Sequence, residues 1–330
     1  MRQIISLLVI SFTLFAQAGP RNGHSMIYDD ANQRIILFGG ADEKQVLADT
    51  WQYKNQHWTK LTDSGPGPRT FAAISYDNQL KRILLFGGNR VLFGSESNPA
   101  VFLNDLWELK NNHWSEIKTS NQPSVRSDAM MVFDPDRNRA VLFGGYRMEN
   151  NQPERLNDTW EFDGQWLEIN NKEKPSGRAG SVFVYDEITH YAYLYGGTNA
   201  NGYGENSAES WTYSQSGWRH IENSGRNVFD PAFAINNGTG EILRFGGWNG
   251  SGRIDETWIF RNKTWIKIAT KNSPAARNHS VLIYDPLMKS YFLYGGHDGE
   301  NVMADLWQFK NGNWFVVDKG DAVPRIDNGH

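Results

Sequence analysis

Three side chains able to act as proton carriers, Asp128, Asp230 and His279, occupy one place in a recurring pattern. Each stands two residues after the position where Arg21, Arg69, Arg126, Arg178 and Arg277 recur, and the other copies have Gly23, Phe71 and Gly180 there. A second recurring place, directly after a glycine pair, holds Tyr146, Trp248 and His297, with Ala41, Asn89 and Thr198 in the remaining copies. Carboxylates and imidazoles are the groups that general acid–base chemistry uses. His279, His297 and Asp298 form a conceivable metal set, but no short histidine spacing supports it. No metal or other cofactor is expected. Trp248, with Asn249, Gly250 and Gly252 beside it, offers a flat face on a pliable loop, suited to stacking on a sugar ring or a partner's side chain. Tyr146, Arg147 and Arg155 bring aromatic and cationic groups on the loop "YRMENNQPERL". The loop "NRVLFGSESNPAVFLN" brings Val91, Leu92 and Phe93, either as a partner patch or as an inward plug.

One copy breaks the pattern. The stretch "ILRFGGWNG" has Arg244 where the others have Leu37, Leu85, Leu142, Leu194 and Leu293, and the same copy has Val228 where the loop arginine should be. A buried guanidinium without a partner is expensive. The expectation is therefore that Arg244 replaces the missing arginine from within the sheet, held by Asp230, with Trp248 beside it.

These residues sit on a repeat whose glycine pairs begin at Gly39, Gly87, Gly144, Gly196, Gly246 and Gly295. Eleven residues before each pair is Tyr28, Tyr76, Phe133, Tyr185, Ile235 or Tyr284. After each pair an acid stands two residues before a tryptophan: Asp49, Asp105, Asp158, Glu209, Glu256 and Asp305 precede Trp51, Trp107, Trp160, Trp211, Trp258 and Trp307. A second tryptophan follows six or seven residues on, so 12 of the 13 tryptophans belong to the repeat and Trp248 alone does not. Each unit reads as four short strands joined by Asn, Asp and Gly turns, for example "HSMIYD", "RIILFGG", "DTWQY" and "HWTKL". Units of about 50 residues repeated radially make a β-propeller.

The "LFGG" and "LYGG" strand ends, the "NDTWEF" and "NDLWEL" third strands, the second tryptophan and the "PR" opening of most units resemble the kelch repeat family over roughly residues 20 to 320. The resemblance implies an all-β fold, a six-bladed propeller with four antiparallel strands per blade. The units are placed at about 20–67, 68–122, 123–174, 175–224, 225–273 and 274–321, within a propeller domain spanning 19–330. Kelch propellers serve mainly as binding scaffolds and occasionally as enzymes, and residues in these loops, which here carry Arg126 and Arg178, often contact the ligand. The competing expectation for those arginines is a clamp on the acid that opens strand three. The first unit owns four strands, so closure by a C-terminal strand is not expected, and the tail "VPRIDNGH" echoes the opening "GPRNGH".

Antiparallel winding gathers the variable loops and the glycine pairs at one end, the candidate ligand face. Its expected ligand residues are Arg244, Trp248, Asp230, Asn249, Tyr146, Arg147, Asp128, His279, His297, Arg126 and Arg178. Residues 1–18 carry one arginine, an apolar run and "AQA", the pattern of a secretory signal peptide, which places the mature chain outside the cytoplasm, secreted or periplasmic. No later run is apolar enough for a membrane anchor. The absence of cysteine excludes thiolate chemistry, and with it the Cys–Tyr cross-link of the copper-radical kelch oxidases. A net charge of −4 without a basic stripe argues against nucleic acid. What remains is a monomeric binding scaffold for a protein or carbohydrate ligand; the alternatives are an exported sugar-active enzyme resembling the kelch epimerases and a purely structural envelope protein.

Overall fold

In a computed structural model of the chain, residues 17–91, 99–199, 208–222 and 228–320 are described. The expected signal core, the tip residues Leu92 and Phe93 of the second long loop, and the tail from residue 321 lie outside them. The strands form six four-stranded antiparallel sheets, and within each the spatial order follows the chain. Blade one is Ser25–Asp29, Arg34–Phe38, Thr50–Lys54 and His57–Thr62. In blade three a two-stranded hairpin, Tyr146–Glu149 and Gln152–Arg155, interrupts the chain between the second and third strands.

Period-2 alternation turns these sheets into a ring. In blade one's second strand, Ile36 and Phe38 face blade two, packing with Ile83, Leu85 and Trp114, while Ile35 and Leu37 face blade six, packing with Phe292 and Tyr294. Apart from Arg244 in blade five, the inner residues of the second strands are apolar on both faces. Six buried clusters fill the six blade interfaces in this way. Burying each large side chain contributes roughly 1.5–3 kcal/mol, so a cysteine-free chain has ample means to hold a disc together.

The ring closes by repetition. The second glycine of every pair donates its N–H to the carbonyl at the loop-arginine position of the next blade: Gly40 to Arg69, Gly88 to Arg126, Gly145 to Arg178, Gly197 to Val228, Gly247 to Arg277 and, closing the circle, Gly296 to Arg21. The first strands of neighbouring blades touch all the way round, blade one against blade six included, and line the central channel. Blade one's four strands are consecutive in the chain, as expected. No helix among the described residues is long and apolar enough to cross a membrane.

Candidate functional site: the channel mouth

The loop arginines are structural. Arg69 donates to both carboxylate oxygens of Asp105 at 2.7 and 2.9 Å and to the carbonyl of Gly87 at 3.0 Å. Arg126 treats Asp158 and Gly144 alike, and Arg178 meets Glu209 at 2.6 Å and the Gly196 carbonyl at 3.2 Å. Arg21 and Arg277 repeat the arrangement with Asp49 and Asp305. The same acid also accepts the indole N–H of its blade's first tryptophan, for instance Trp160 on Asp158 at 2.7 Å. Arg126 and Arg178 are therefore buried clamps that close each blade's loop end.

Arg244 is corrected in a more informative way. Its strand pairs Phe245 with Ala232 and Arg244 with Phe233, and alternation turns Arg244 into the interface between blades four and five. There it is 2% exposed, with its guanidinium carbon 5.9 Å from the Tyr195 ring, 5.4 Å from Trp258 and 5.1 Å from Trp265. Burial pushes its pKa down, while Tyr195, through a hydrogen bond, and Glu256, through its charge, pull it back. Nε and Nη1 make no hydrogen bond. Asp230 does not hold it. The expected replacement survives in part, because Glu256 is the very acid that a loop arginine clamps in the other blades.

The remaining candidates do converge. Gly23, Phe71, Asp128, Gly180, Asp230 and His279 form a collar, all six with left-handed backbones (φ 59°, 53°, 56°, 61°, 52° and 57°). Neighbours in it are joined by backbone hydrogen bonds: Gly23 N–H to His279 O at 3.1 Å, Phe71 N–H to Gly23 O at 2.7 Å, Asp128 N–H to Phe71 O at 2.8 Å and Asp230 N–H to Gly180 O at 2.8 Å. Four non-glycine residues held at positive φ store strain of order 1 kcal/mol each, a cost that concentrates at functional sites. At the glycine positions no Cβ fits: one on Gly23 would lie 2.9 Å from the Phe71 ring, and one on Gly180 2.4 Å from the Phe229 ring. The second tier sits directly above, through bridges that pair Ser127 with Tyr146, Phe229 with Trp248 and Asn278 with His297.

Chemical variety is on one side of this opening. His279, 8% exposed, places Nε2 2.8 Å from Oδ2 of Asp230, a close contact without hydrogen-bond alignment. Its Nδ1 meets Nε2 of His297 at 3.1 Å, and its ring lies edge-on to Phe71 at 4.9 Å. Arg253 reaches the other side of His297 at 3.3 Å, donates to Asn278 at 2.9 Å and lies 5.5 Å from the Trp248 ring. Burial, His279 and Arg253 together hold the His297 imidazole down to about 4, so it is neutral at ordinary pH. Burial pushes the Asp128 carboxyl well above the usual carboxylate range; the facing Asp230 carboxylate pushes the same way and Arg155 pulls against both. Arg155 stacks 4.4 Å from the Tyr146 ring.

Three expected residues do other jobs. Asn249 accepts the N–H groups of Ser251 and Gly252 and shapes its own turn. Asp298 does the same for Glu300 and Asn301, so it is spent on its loop and is not free to join the two histidines. Arg147 is held by Glu154 at 2.6 Å and Glu149 at 3.3 Å inside its hairpin. Among the described residues no group of three or more His, Asp or Glu side chains is placed to hold a metal. Arg253 was missed in the sequence. Its signal is the tight "WNGSGR" turn, which brings it back opposite Trp248.

Comparison with known proteins fits this geometry. The family model of the KLHDC2/KLHL20/DRC7 Kelch-repeats domain matches residues 15–174. A solved structure, "Structure of YjhT", is similar in fold with a TM-score of 0.68 at 14% sequence identity, covering 91% of this chain and 98% of that one. Since the glycine pairs, acid–tryptophan strands and inter-blade hydrogen bonds run on unchanged to blade six and back to Arg21, the chain is a six-bladed β-propeller whose residues 15–174 match a Kelch-repeats family model.

Proposed function

We propose that this chain is a binding propeller acting outside the cytoplasm, which holds a carbohydrate or protein ligand at the loop end of its channel. One observation carries the reading. The groups that the repeat shares are spent on the scaffold, with the five loop arginines buried and clamped on acids and eight of the 12 framework tryptophans buried between blades, whereas the groups that differ between blades, Asp128, Tyr146, Asp230, Trp248, His279 and His297, collect at one opening. Repetition builds the scaffold, and departures from it on a rigid frame are where recognition sits. The extracytoplasmic placement rests on the signal-like first 18 residues.

The test is a ligand screen on the purified mature chain, read by intrinsic fluorescence and repeated on Trp248→Ala. Quenching by a sugar that the variant abolishes supports a carbohydrate ligand. Binding of a protein that is lost on trimming residues 91–102 supports a protein partner. A screen in which neither class touches the loop end removes the reading.

A second reading, an enzyme at the same opening, is favoured by the Asp128 carboxyl. A carboxyl whose pKa burial raises, with a second carboxyl acting on it, is the kind of pair that proton transfer uses. Turnover with a bell-shaped pH profile, lost in Asp230→Asn, would establish it.

A further inference from the structure

Asp128 and Asp230 flank blade four in the collar, and blade four contributes only Gly180 between them. The two carboxyls are close enough for one charge to raise the pKa of the other. Most other carboxylates at this end of the disc are already committed: the strand-three acids to arginine or tryptophan, Asp298 to its turn, Glu149 and Glu154 to Arg147. Oδ2 of Asp230, by contrast, is buried without an aligned hydrogen bond, and the Trp248 indole N–H is likewise unfilled. Buried polar groups are normally satisfied, so such groups at one opening point to a ligand that completes them.

We propose that the channel end of this site binds a neutral, hydroxyl-rich group, the ring of a sugar, with Asp128 as hydrogen-bond donor and Asp230 as acceptor. This rests on the carbohydrate reading above and specifies it. A hydroxyl both donates and accepts, so neighbouring hydroxyls of one ring match a carboxylic acid beside a carboxylate. An anionic ligand would meet the Asp230 charge. A cationic one would meet Arg155, which acts on Asp128, and Arg253, which sits on His297. Phe71, Tyr146 and Trp248 supply the apolar surface that the C–H face of a sugar needs.

The arrangement has a built-in pH dependence. The charged and titratable groups around Asp128 are Asp230 and Arg155; behind Asp230 stands His279, and behind that His297 with Arg253. As the pH rises and Asp128 ionises, the pair loses its donor and gains a second like charge. Binding then weakens. Asparagine at position 128 keeps a neutral donor at every pH.

The experiment measures binding of methyl α-glucopyranoside, methyl β-galactopyranoside, N-acetylglucosamine and glucuronate by calorimetry at pH 5 and pH 9. The proteins are the mature wild-type chain, Asp128→Asn and Asp230→Asn, each with an unchanged melting profile. At least one neutral sugar is expected to bind the wild type about tenfold more tightly at pH 5 than at pH 9. Asp128→Asn should bind it equally at both, and Asp230→Asn should lose about tenfold or more at both. Glucuronate bound more tightly than any neutral sugar would overturn the proposal, as would a pH dependence that survives in Asp128→Asn. No sugar binding at all overturns it too; if a protein ligand lost on trimming residues 91–102 is then found, the broader binding role stands, and the two failures are told apart.

Discussion

Nε2 of His279 stands 2.8 Å from Oδ2 of Asp230, tying blade six to blade five through two residues that hold equivalent places in their repeats. The same Asp230 carboxylate acts on Asp128 from the other side. Replacing Asp230 by asparagine removes one of the two causes that raise the Asp128 carboxyl and leaves the larger, burial, in place. The carboxyl titration of Asp128, followed by carbon-13 NMR, should therefore move down in Asp230→Asn yet stay above that of a free aspartate. An unmoved titration would mean the two carboxyls do not sense each other.

The frame was legible because it is made of period and polarity. Six glycine pairs, six acid–tryptophan pairs and apolar strands leave few other ways to bury both faces of each sheet. The collar was legible for the same reason. What could not be read was the partner of Arg244. Counting put it near Asp230 along the strand, but alternation sends its side chain sideways into the interface with blade four, toward Tyr195, which belongs to another repeat. The roles of Asn249 and Asp298 were obscured in a related way: both residue types serve equally as ligand contacts and as turn formers, and only the backbone path distinguishes them.

Arg244 should be dispensable to the fold and to the channel. A buried cation exchanged for an apolar side chain of similar length is often neutral or stabilising, whereas truncation leaves a cavity among three aromatic rings. Arg244→Met is expected to change stability by less than about 1 kcal/mol or to raise it, and Arg244→Ala to lower it by roughly 2–4 kcal/mol. Urea titrations check both. Ligand binding at the mouth should be the same in Arg244→Met as in wild type, and a loss there would return Arg244 to the site.

The second tryptophans test how blades are joined. Trp218 of blade four donates its indole N–H to the hydroxyl of Thr159 in blade three at 2.8 Å, as Trp114 does to Thr50 and Trp314 to Thr257. Thr159→Val keeps the shape and removes the acceptor. It should cost about 1–3 kcal/mol, the penalty for a buried donor left unpaired. Leu106 and Leu306 hold the equivalent place in blades two and six, so a near-zero effect would mean the hydroxyl is as replaceable at Thr159 as it is there.

Acid should loosen the junction that closes the ring. His24 is buried at the contact of blade one with blade six, its ring edge-on to Tyr294 at 5.7 Å, and neither ring nitrogen has a partner. Burial, helped by the nearby charge of Arg21, holds its pKa down to about 3 against 6.5 for the free side chain. The native state thus keeps His24 neutral, while the unfolded chain takes up a proton below pH 6.5. The stability that this neutrality provides is complete above that pH and is lost progressively as the pH falls toward 3, on the order of 4 kcal/mol in all. Asp128 works in the opposite sense, since its raised pKa favours the folded state at low pH. His24→Leu should flatten the decline in unfolding free energy between pH 6.5 and 4 while leaving the value at pH 8 within about 1 kcal/mol of wild type. An unchanged slope would place the acid sensitivity elsewhere, with His297, also held down to about 4, as the next group to replace.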